Sequence, residues 1–408
     1  MSIDVSQLEQ LNLPDLSKTF GSGSRPVKSV MTIFGTRPEA IKMAPVIRQL
    51  RAYNSLFRTV NVVSAQHTDL LYPLISLFDI EVDYDLQTMT HDQTPNQVCS
   101  RVLLALDGIL AHERPELVLV QGDTTTAMAG AMAAFHHAIP VGHIEAGLRS
   151  HSIHSPYPEE MNRRLITSLA TYHFAATRGN RETLRREGVA GEAIFVTGNT
   201  VVDSLTAILK QASPSAALEA SLDATEGLRR VVLTTHRRES LGQVMTGNLR
   251  AIRRFVEAHE DVALLFPVHP NPEVGSSARA IFAGHPRIHL IEPLGYEDFI
   301  VLLSRAWLIV SDSGGVQEEA PTLGKPLLVL RENTERPEVI ESGIARLVGG
   351  SPEQLSLMLE EAHGEGSWVE RVKSIENPFG RGDSATLIAR IVGELLIERA
   401  TAAAQPLS

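Results

Sequence analysis

From residue 28 onward the chain alternates two patterns. Short runs of β-branched and apolar residues fall at 30–34, 57–64, 117–121, 141–145, 172–176 and 194–197. Between them lie stretches in which apolar positions recur at helical spacing, as at 39–50. Runs that are apolar throughout suit strands covered on both faces, and the intervening helices supply the covers. The expected fold class is therefore α/β, with helices on both faces of a parallel sheet. A second series follows Thr197-Gly198-Asn199, with strands predicted at 231–234, 262–268, 288–291, 308–310 and 327–330. Helices fit at 296–304 and 315–322 in this series. Asn377-Pro378-Phe379-Gly380 interrupts the rhythm, and a last helix is predicted over 384–402.

A chain of 408 residues exceeds what one hydrophobic core normally holds, so two consecutive doubly wound domains are expected. Residues 1–27 end in Gly21-Ser22-Gly23-Ser24-Arg25-Pro26 and read as a flexible N-terminal tail. The apolar share of 43% and the charged share of 21% are those of an ordinary globular protein. No apolar run reaches the roughly 18 residues that span a bilayer, so no membrane partner is expected. The first 28 residues lack a basic start followed by an apolar stretch, which points to the cytoplasm. Cys99 is the single cysteine, excluding an internal disulfide and a cysteine-built metal cluster. A net charge of −11 disfavours nucleic acid, and any anionic ligand must find local positive charge or helix N-termini.

Ligands of open parallel sheets sit beyond the carboxyl ends of the strands, so the residues just after each run matter most. Three of these positions are charged: Arg37 in Gly35-Thr36-Arg37-Pro38-Glu39, Asp123 in Gln121-Gly122-Asp123-Thr124, and Glu145 in Glu145-Ala146-Gly147. Two carboxylates and a guanidinium on one rim can move protons and stabilise an anion together. Each has a structural alternative. Asp123 could cap the following helix, Glu145 could orient the next turn through backbone amides, and Arg37 could pair with Glu39.

Pro156-Tyr157-Pro158-Glu159-Glu160 opens a further helix, with Met161, Leu165 and Leu169 on one face. Glu159 and Glu160, each four residues before an arginine, read as surface ion pairs with Arg163 and Arg164. In the second series, Ser311-Asp312-Ser313-Gly314-Gly315 joins a strand to a helix, where small residues admit phosphate oxygens to backbone amides. Gln317, Glu318 and Glu319 follow, and an acid there could hold ribose hydroxyls; a tight turn with a serine cap is the alternative. Neither Gly-x-Gly-x-x-Gly nor a P-loop is present, which disfavours a bound dinucleotide. His236, followed by Arg237 and Arg238, can neutralise a diphosphate. No compact ligand pattern accompanies it, so neither metal nor cofactor is expected.

In order, these segments resemble the non-hydrolysing UDP-N-acetylglucosamine 2-epimerases. The matching stretches are FGTRPEAIKMA at 34–44, QGDTTT at 121–126, HIEAGLR at 143–149 and PEEMNR at 158–163. TGNTVVD at 197–203, THRRE at 235–239, SDSGGVQEEAPTLGKP at 311–326 and ERP at 335–337 complete them. Each motif alone is weak, and eight in the right order are specific. The resemblance implies the glycosyltransferase-B type of fold, two Rossmann-like domains facing a cleft. The first would comprise 28–197 plus 378–408, because the last helix returns to it, and the second 198–377. The implied reaction interconverts UDP-N-acetylglucosamine (UDP-GlcNAc) and UDP-N-acetylmannosamine (UDP-ManNAc) by eliminating UDP to 2-acetamidoglucal and adding it back. A homodimer without cofactor is implied too. The alternatives are a hydrolysing relative, which releases ManNAc and UDP, and the same epimerisation on a modified UDP-sugar. By motif, Asp123, Glu145 and Glu159 match the acid/base carboxylates, while Arg37 and His236 match groups that hold the leaving UDP. Lys42 would support Arg37 or an acidic neighbour. Ser313, Gly314 and Gly315 match the diphosphate loop, Glu319 the ribose acid, Arg336 another substrate contact and Phe299 an aromatic near uracil.

Overall fold

The computed structural model describes residues 27–65, 68–88, 90, 93–235 and 242–403. The expected tail up to residue 26 and the expected diphosphate ligand His236 lie outside them. The chain forms two units, one running to Ser204 and resuming at Gly380, the other spanning Leu205–Phe379.

Among the described residues, the first unit holds one seven-stranded sheet. Its strands are β1 (Lys28–Phe34), β2 (Phe57–Val63), β3 (Tyr84–Asp85), β4 (Leu117–Gln121), β5 (Val141–Ala146), β6 (Tyr172–Ala175) and β7 (Ile194–Val196). They are ordered β3-β2-β1-β4-β5-β6-β7, and every pairing is parallel. The chain thus steps outward from β1 to β3, then returns to the other side of β1. That reversal puts a topological switch point at the carboxyl ends of β1 and β4, where such sheets take ligands.

One face of this sheet presents Met31, Ile33, Val60, Val62, Val118 and Val120. Val102, Leu106 and Leu110 of helix Pro95–Glu113 cover it, with Ala127, Ala131 and Ala134 of helix Thr125–His136. The second helix is built from small residues and lies close to β1; a side chain at Gly130 would press on Ile33 from 3.1 Å. Helix Arg37–Ala52 begins with a capping box between Thr36 and Glu39, with Pro38 in its first turn. The C-terminal helix Ser384–Ala403 packs on Arg37–Ala52, and the Ala385 amide donates to Asp203 at 3.0 Å.

Among the described residues, the second unit holds a six-stranded sheet. It comprises β8 (Arg229–Thr234), β9 (Val262–Pro267), β10 (Ile288–Ile291), β11 (Leu308–Ser311), β12 (Leu327–Val329) and β13 (Ala345–Leu347). The order β10-β9-β8-β11-β12-β13 is again all parallel, with the reversal between β8 and β11. Two strands, β3 and β13, were not announced by the sequence pattern. They lie on sheet edges and have two and three residues, too few for any periodicity. Among the described residues, no helix is long and apolar enough to cross a membrane.

Candidate active site

Arg37, Asp123 and Glu145 follow or end β1, β4 and β5, which are neighbours in the first sheet. Glu145 is buried with φ +67°, at a point where the β5–β6 register shifts. A non-glycine residue in the left-handed region costs about 1–3 kcal/mol and is held there by its surroundings. Lys42, buried on helix Arg37–Ala52, donates to Glu145 Oε1 at 2.6 Å, and the Gln121 side-chain amide donates to Oε2. Lys42 therefore serves an acidic neighbour, and Glu145 turns to side chains of β4 and the helix. Gly122 has φ +71°, and a Cβ there would lie 3.7 Å from Glu145 Oε2, so the turn after β4 runs beside this carboxylate.

Asp123 does not cap the next helix. Thr124 does, accepting from the Ala127 amide at 3.0 Å. Freed from that task, Asp123 meets Arg163 at 2.5 Å through Oδ2, with 27% of its side chain exposed. Its backbone is fixed from both sides. Asn162 donates to the Asp123 carbonyl at 2.9 Å, and His143 Nε2 donates to the Gly122 carbonyl at 2.8 Å. Burial pushes the His143 pKa down to about 3, so the ring is neutral across the working range.

The helix that begins at Glu159 corrects one expectation. Met161 and Leu165, which share one face, are exposed, and the buried face is Glu160, Asn162, Arg163, Ile166 and Thr167. Of the residues read as surface ion pairs, Glu160 and Arg163 are buried, while Arg164 keeps 41% of its side chain exposed. Glu160 is fully buried and takes Arg163 at 3.1 Å and Arg164 at 3.2 Å. The reason is tertiary: Arg163 must reach Asp123 at the end of β4, and its own charge needs Glu160 beside it. Glu159, the first residue of the helix, is partly exposed.

Arg37 is exposed, and its expected ionic partner Glu39 faces elsewhere. The buried Glu39 carboxylate accepts from the amides of Gly35 and Thr36 at 3.0 and 2.8 Å, and from the hydroxyls of Thr36 and Thr124 at 2.7 and 2.6 Å. Burial nevertheless dominates and raises its pKa from 4.5 to about 7. Gly35 allows the tight approach, since a Cβ there would collide with Ser64 Oγ. Reading the sequence missed Glu39, Gln121, His143 and Arg163. The Thr36-x-x-Glu39 capping box and a histidine inside the apolar β5 were the available signals.

In the second unit, the ends of β8 and β11 are tied by hydroxyls. Thr234 and Ser311 meet at 2.6 Å, and Thr235 donates to the fully buried Asp312 at 2.8 Å. The Ser313 amide donates to Ser311 Oγ at 3.0 Å, which sets the turn of Ser313, Gly314 and Gly315 before helix Val316–Thr322. Glu319 is buried and accepts from the Tyr296 hydroxyl at 3.0 Å. Phe299, partly buried, lies one turn after Tyr296 on helix Tyr296–Ser304. Arg336 is buried against Glu318 at 2.5 Å and Glu335 at 3.5 Å. Burial alone would raise the Glu335 pKa, but Arg336 and Arg331 outweigh it and bring it to about 2.

Each unit is a Rossmann-like domain, and two of them in series define a protein of the glycosyltransferase-B type, a fold that epimerases and glycosyltransferases share. The family model described as UDP-N-acetylglucosamine 2-epimerase matches residues 48–393. The chain belongs to that family. The Bacillus subtilis UDP-N-acetylglucosamine 2-epimerase is 42% identical over 377 residues, 92% of this chain and 97% of the relative. A Listeria monocytogenes structure is 42% identical with a TM-score of 0.86, covering 92% of this chain and 98% of that one. The Neisseria meningitidis UDP-GlcNAc 2-epimerase, solved with UDP-GlcNAc bound, is 38% identical with a TM-score of 0.83, over 89% of this chain and 99% of the other.

Proposed function

We propose that this protein epimerises UDP-GlcNAc at C2 to UDP-ManNAc without releasing the sugar. The observation that carries the reading is the rim of the first sheet, where Asp123, Glu145 and Glu39 gather at adjacent strand ends with Lys42 and Arg163 among them. Membership of the epimerase family supplies the substrate class.

The C2 hydrogen of the substrate is not next to a carbonyl, so its removal needs another sink for the electrons. Loss of UDP from C1 provides one. A base takes the C2 proton, the C1–O bond breaks and its electron pair leaves with UDP, giving 2-acetamidoglucal. The reverse steps on the other face then give the epimer. Asp123 suits the role of base, because one oxygen is anchored by Arg163 while the side chain stays partly exposed. Glu145 has both oxygens engaged, by Lys42 and Gln121, and is suited to hold a sugar hydroxyl or relay a proton. Glu159 is the third acid/base candidate. Arg37 and His236 would balance charge on the departing diphosphate, which must strengthen as UDP leaves to help the step. The Ser313-Gly314-Gly315 turn offers amides to the diphosphate, Glu319 offers a carboxylate to ribose hydroxyls, and Phe299 an aromatic face to uracil. Arg336, committed to Glu318 and Glu335, is better suited to hold the loop before it than to meet the substrate.

Proton NMR of the purified protein with UDP-GlcNAc in deuterated water tests the proposal. UDP-ManNAc should appear, with deuterium entering C2 of both sugars. Free ManNAc with stoichiometric UDP would make the enzyme a hydrolysing one, and an unchanged UDP-GlcNAc signal would overturn the substrate.

A further inference from the structure

Away from the strand ends just described, the second unit gathers two histidines and two acids. Helix Gln243–Ala258 ends on His259, Asp261 immediately precedes β9, and Glu360 and His363 lie in the last turn of helix Pro352–His363. The Arg229 amide, at the start of β8, donates to the Asp261 carbonyl at 2.7 Å, so the group sits at the amino ends of β8 and β9. This is the end of the sheet opposite the Ser313 turn.

The two imidazoles lie almost against each other, with ring centroids 4.0 Å apart. His259 Nε2 is 2.9 Å from Glu360 Oε2, and His363 Nε2 is 3.0 Å from Asp261 Oδ1. Aromatic neighbours fix both rings: Phe255 stands 4.7 Å from His259, and Trp307 6.2 Å from His363. One ligand atom each from His259, Asp261 and His363 can be found within 4.8 Å of the other two.

We propose that these residues form a binding site for a divalent transition metal of the zinc class, with His259, Asp261 and His363 as ligands and Glu360 as the fourth. With metal–ligand bonds of about 2.0–2.1 Å, two ligands on one tetrahedral ion stand roughly 3.3 Å apart. Each imidazole–carboxylate pair already has nearly that separation, so a metal enters where the pair now shares a proton. Bringing His259, Asp261 and His363 onto one ion needs a closure of at most about 1.5 Å, and Glu360 follows through its contact with His259. The partly exposed Glu360 and Asp261 side chains can supply it. Two neutral imidazoles and two carboxylates match the charge of a divalent ion, and imidazole with carboxylate suits zinc better than calcium or magnesium. His363 Nε2 lies 3.0 Å from Asp261 Oδ1 and 3.2 Å from Oδ2, and Arg229 Nε holds Oδ2 at 3.1 Å. That contact orients the ligand, while its positive charge moderates the affinity. The bound ion would staple the ends of two helices to β9 and take no part in turnover.

The sequence hid this site. His259-x-Asp261 and Glu360-x-x-His363 are separated by about a hundred residues, and only the packing of their helices unites them.

The test uses the full chain without an affinity tag, stripped by chelator and titrated with cobalt(II) chloride alone. One equivalent should bind with the intense visible absorption of tetrahedral cobalt, and zinc should displace it. His259→Gln and His363→Gln should each weaken binding by at least roughly tenfold. Both should keep the wild-type circular dichroism and epimerase turnover. Zinc should raise the melting temperature of the wild type and not that of the variants. Asp261→Asn serves as a third ligand variant should a histidine variant fail to fold. Absence of a tetrahedral spectrum in the wild type, or binding that survives these substitutions, would overturn the site.

Discussion

At the switch point of the first sheet stand acids, each held by a cation, an amide or a hydroxyl. At the switch point of the second stand hydroxyls and glycines around one buried acid, Asp312, with Glu318 and Glu319 set back in a helix. Glu145 is clamped between Lys42 and Gln121, and Asp123 is tethered to Arg163. Around the β11 turn, by contrast, Thr234 meets Ser311 and Thr235 holds the buried Asp312, and Glu319 follows in the next helix as the ribose-type acid. Both sheets reverse between their first and fourth strands, so topology cannot account for the difference. The fold chooses where the chemistry happens, and the residue types at the strand ends choose which chemistry it is.

Exchanging one acid in each unit should separate the two roles. Asp123→Asn is expected to lower turnover by roughly 10³-fold while leaving UDP affinity nearly intact, because it removes a proton acceptor and little binding. Glu319→Gln should do the reverse, weakening UDP binding about tenfold through one charged hydrogen bond. Calorimetric titration with UDP and NMR turnover read both. Lost UDP binding in D123N would make Asp123 structural and erase the contrast.

The second test concerns the cost of holding acids in the first unit. Lys42→Met leaves Glu145 buried without its cation, which should destabilise the unit by about 3–5 kcal/mol in urea denaturation. Adding Glu145→Gln should restore much of that loss. An unchanged midpoint in K42M would mean that water or a relaxed backbone reaches Glu145.

The mildest effect is expected from Glu39, whose pKa burial raises from 4.5 to about 7. A folded value above the unfolded one means that the folded state holds the proton more tightly. The stability this contributes is complete below pH 4.5 and is lost as pH rises through about 7. Wild-type stability minus that of Glu39→Gln should therefore decline across this window, by at most about 3 kcal/mol, and stay level above it. A flat difference would show Glu39 ionised throughout.

Sequence patterning reached most strands, because apolar runs between turn residues report burial on both faces. Strands at 117–121 and 288–291 were read to the residue. It failed at helix Glu159–Leu169, where Glu160 and Arg163 read as members of surface ion pairs and turned out to be buried. Periodicity assumes that charge prefers water. Arg163 breaks the assumption because Asp123 and Glu160 meet its charge inside the fold. The rim residues Asp123 and Glu145 were legible from their place after apolar runs, whereas Glu39 was not. Its four hydrogen bonds close a turn that looked merely structural.

The amino-acid sequence by itself determined the α/β class, the alternation of strands and helices, the strand-end positions of the polar motifs and the family they resemble. These rest on short-range physics: periodicity, caps and turn residues act over a few positions. Only the tertiary structure decided that Lys42 meets Glu145 across 103 residues, that Arg163 reaches Asp123, and that His259 lies against His363. Those contacts depend on which strands lie side by side and how far each helix sinks. The long-range balance between burying charge and pairing it settles both, and no local window contains it.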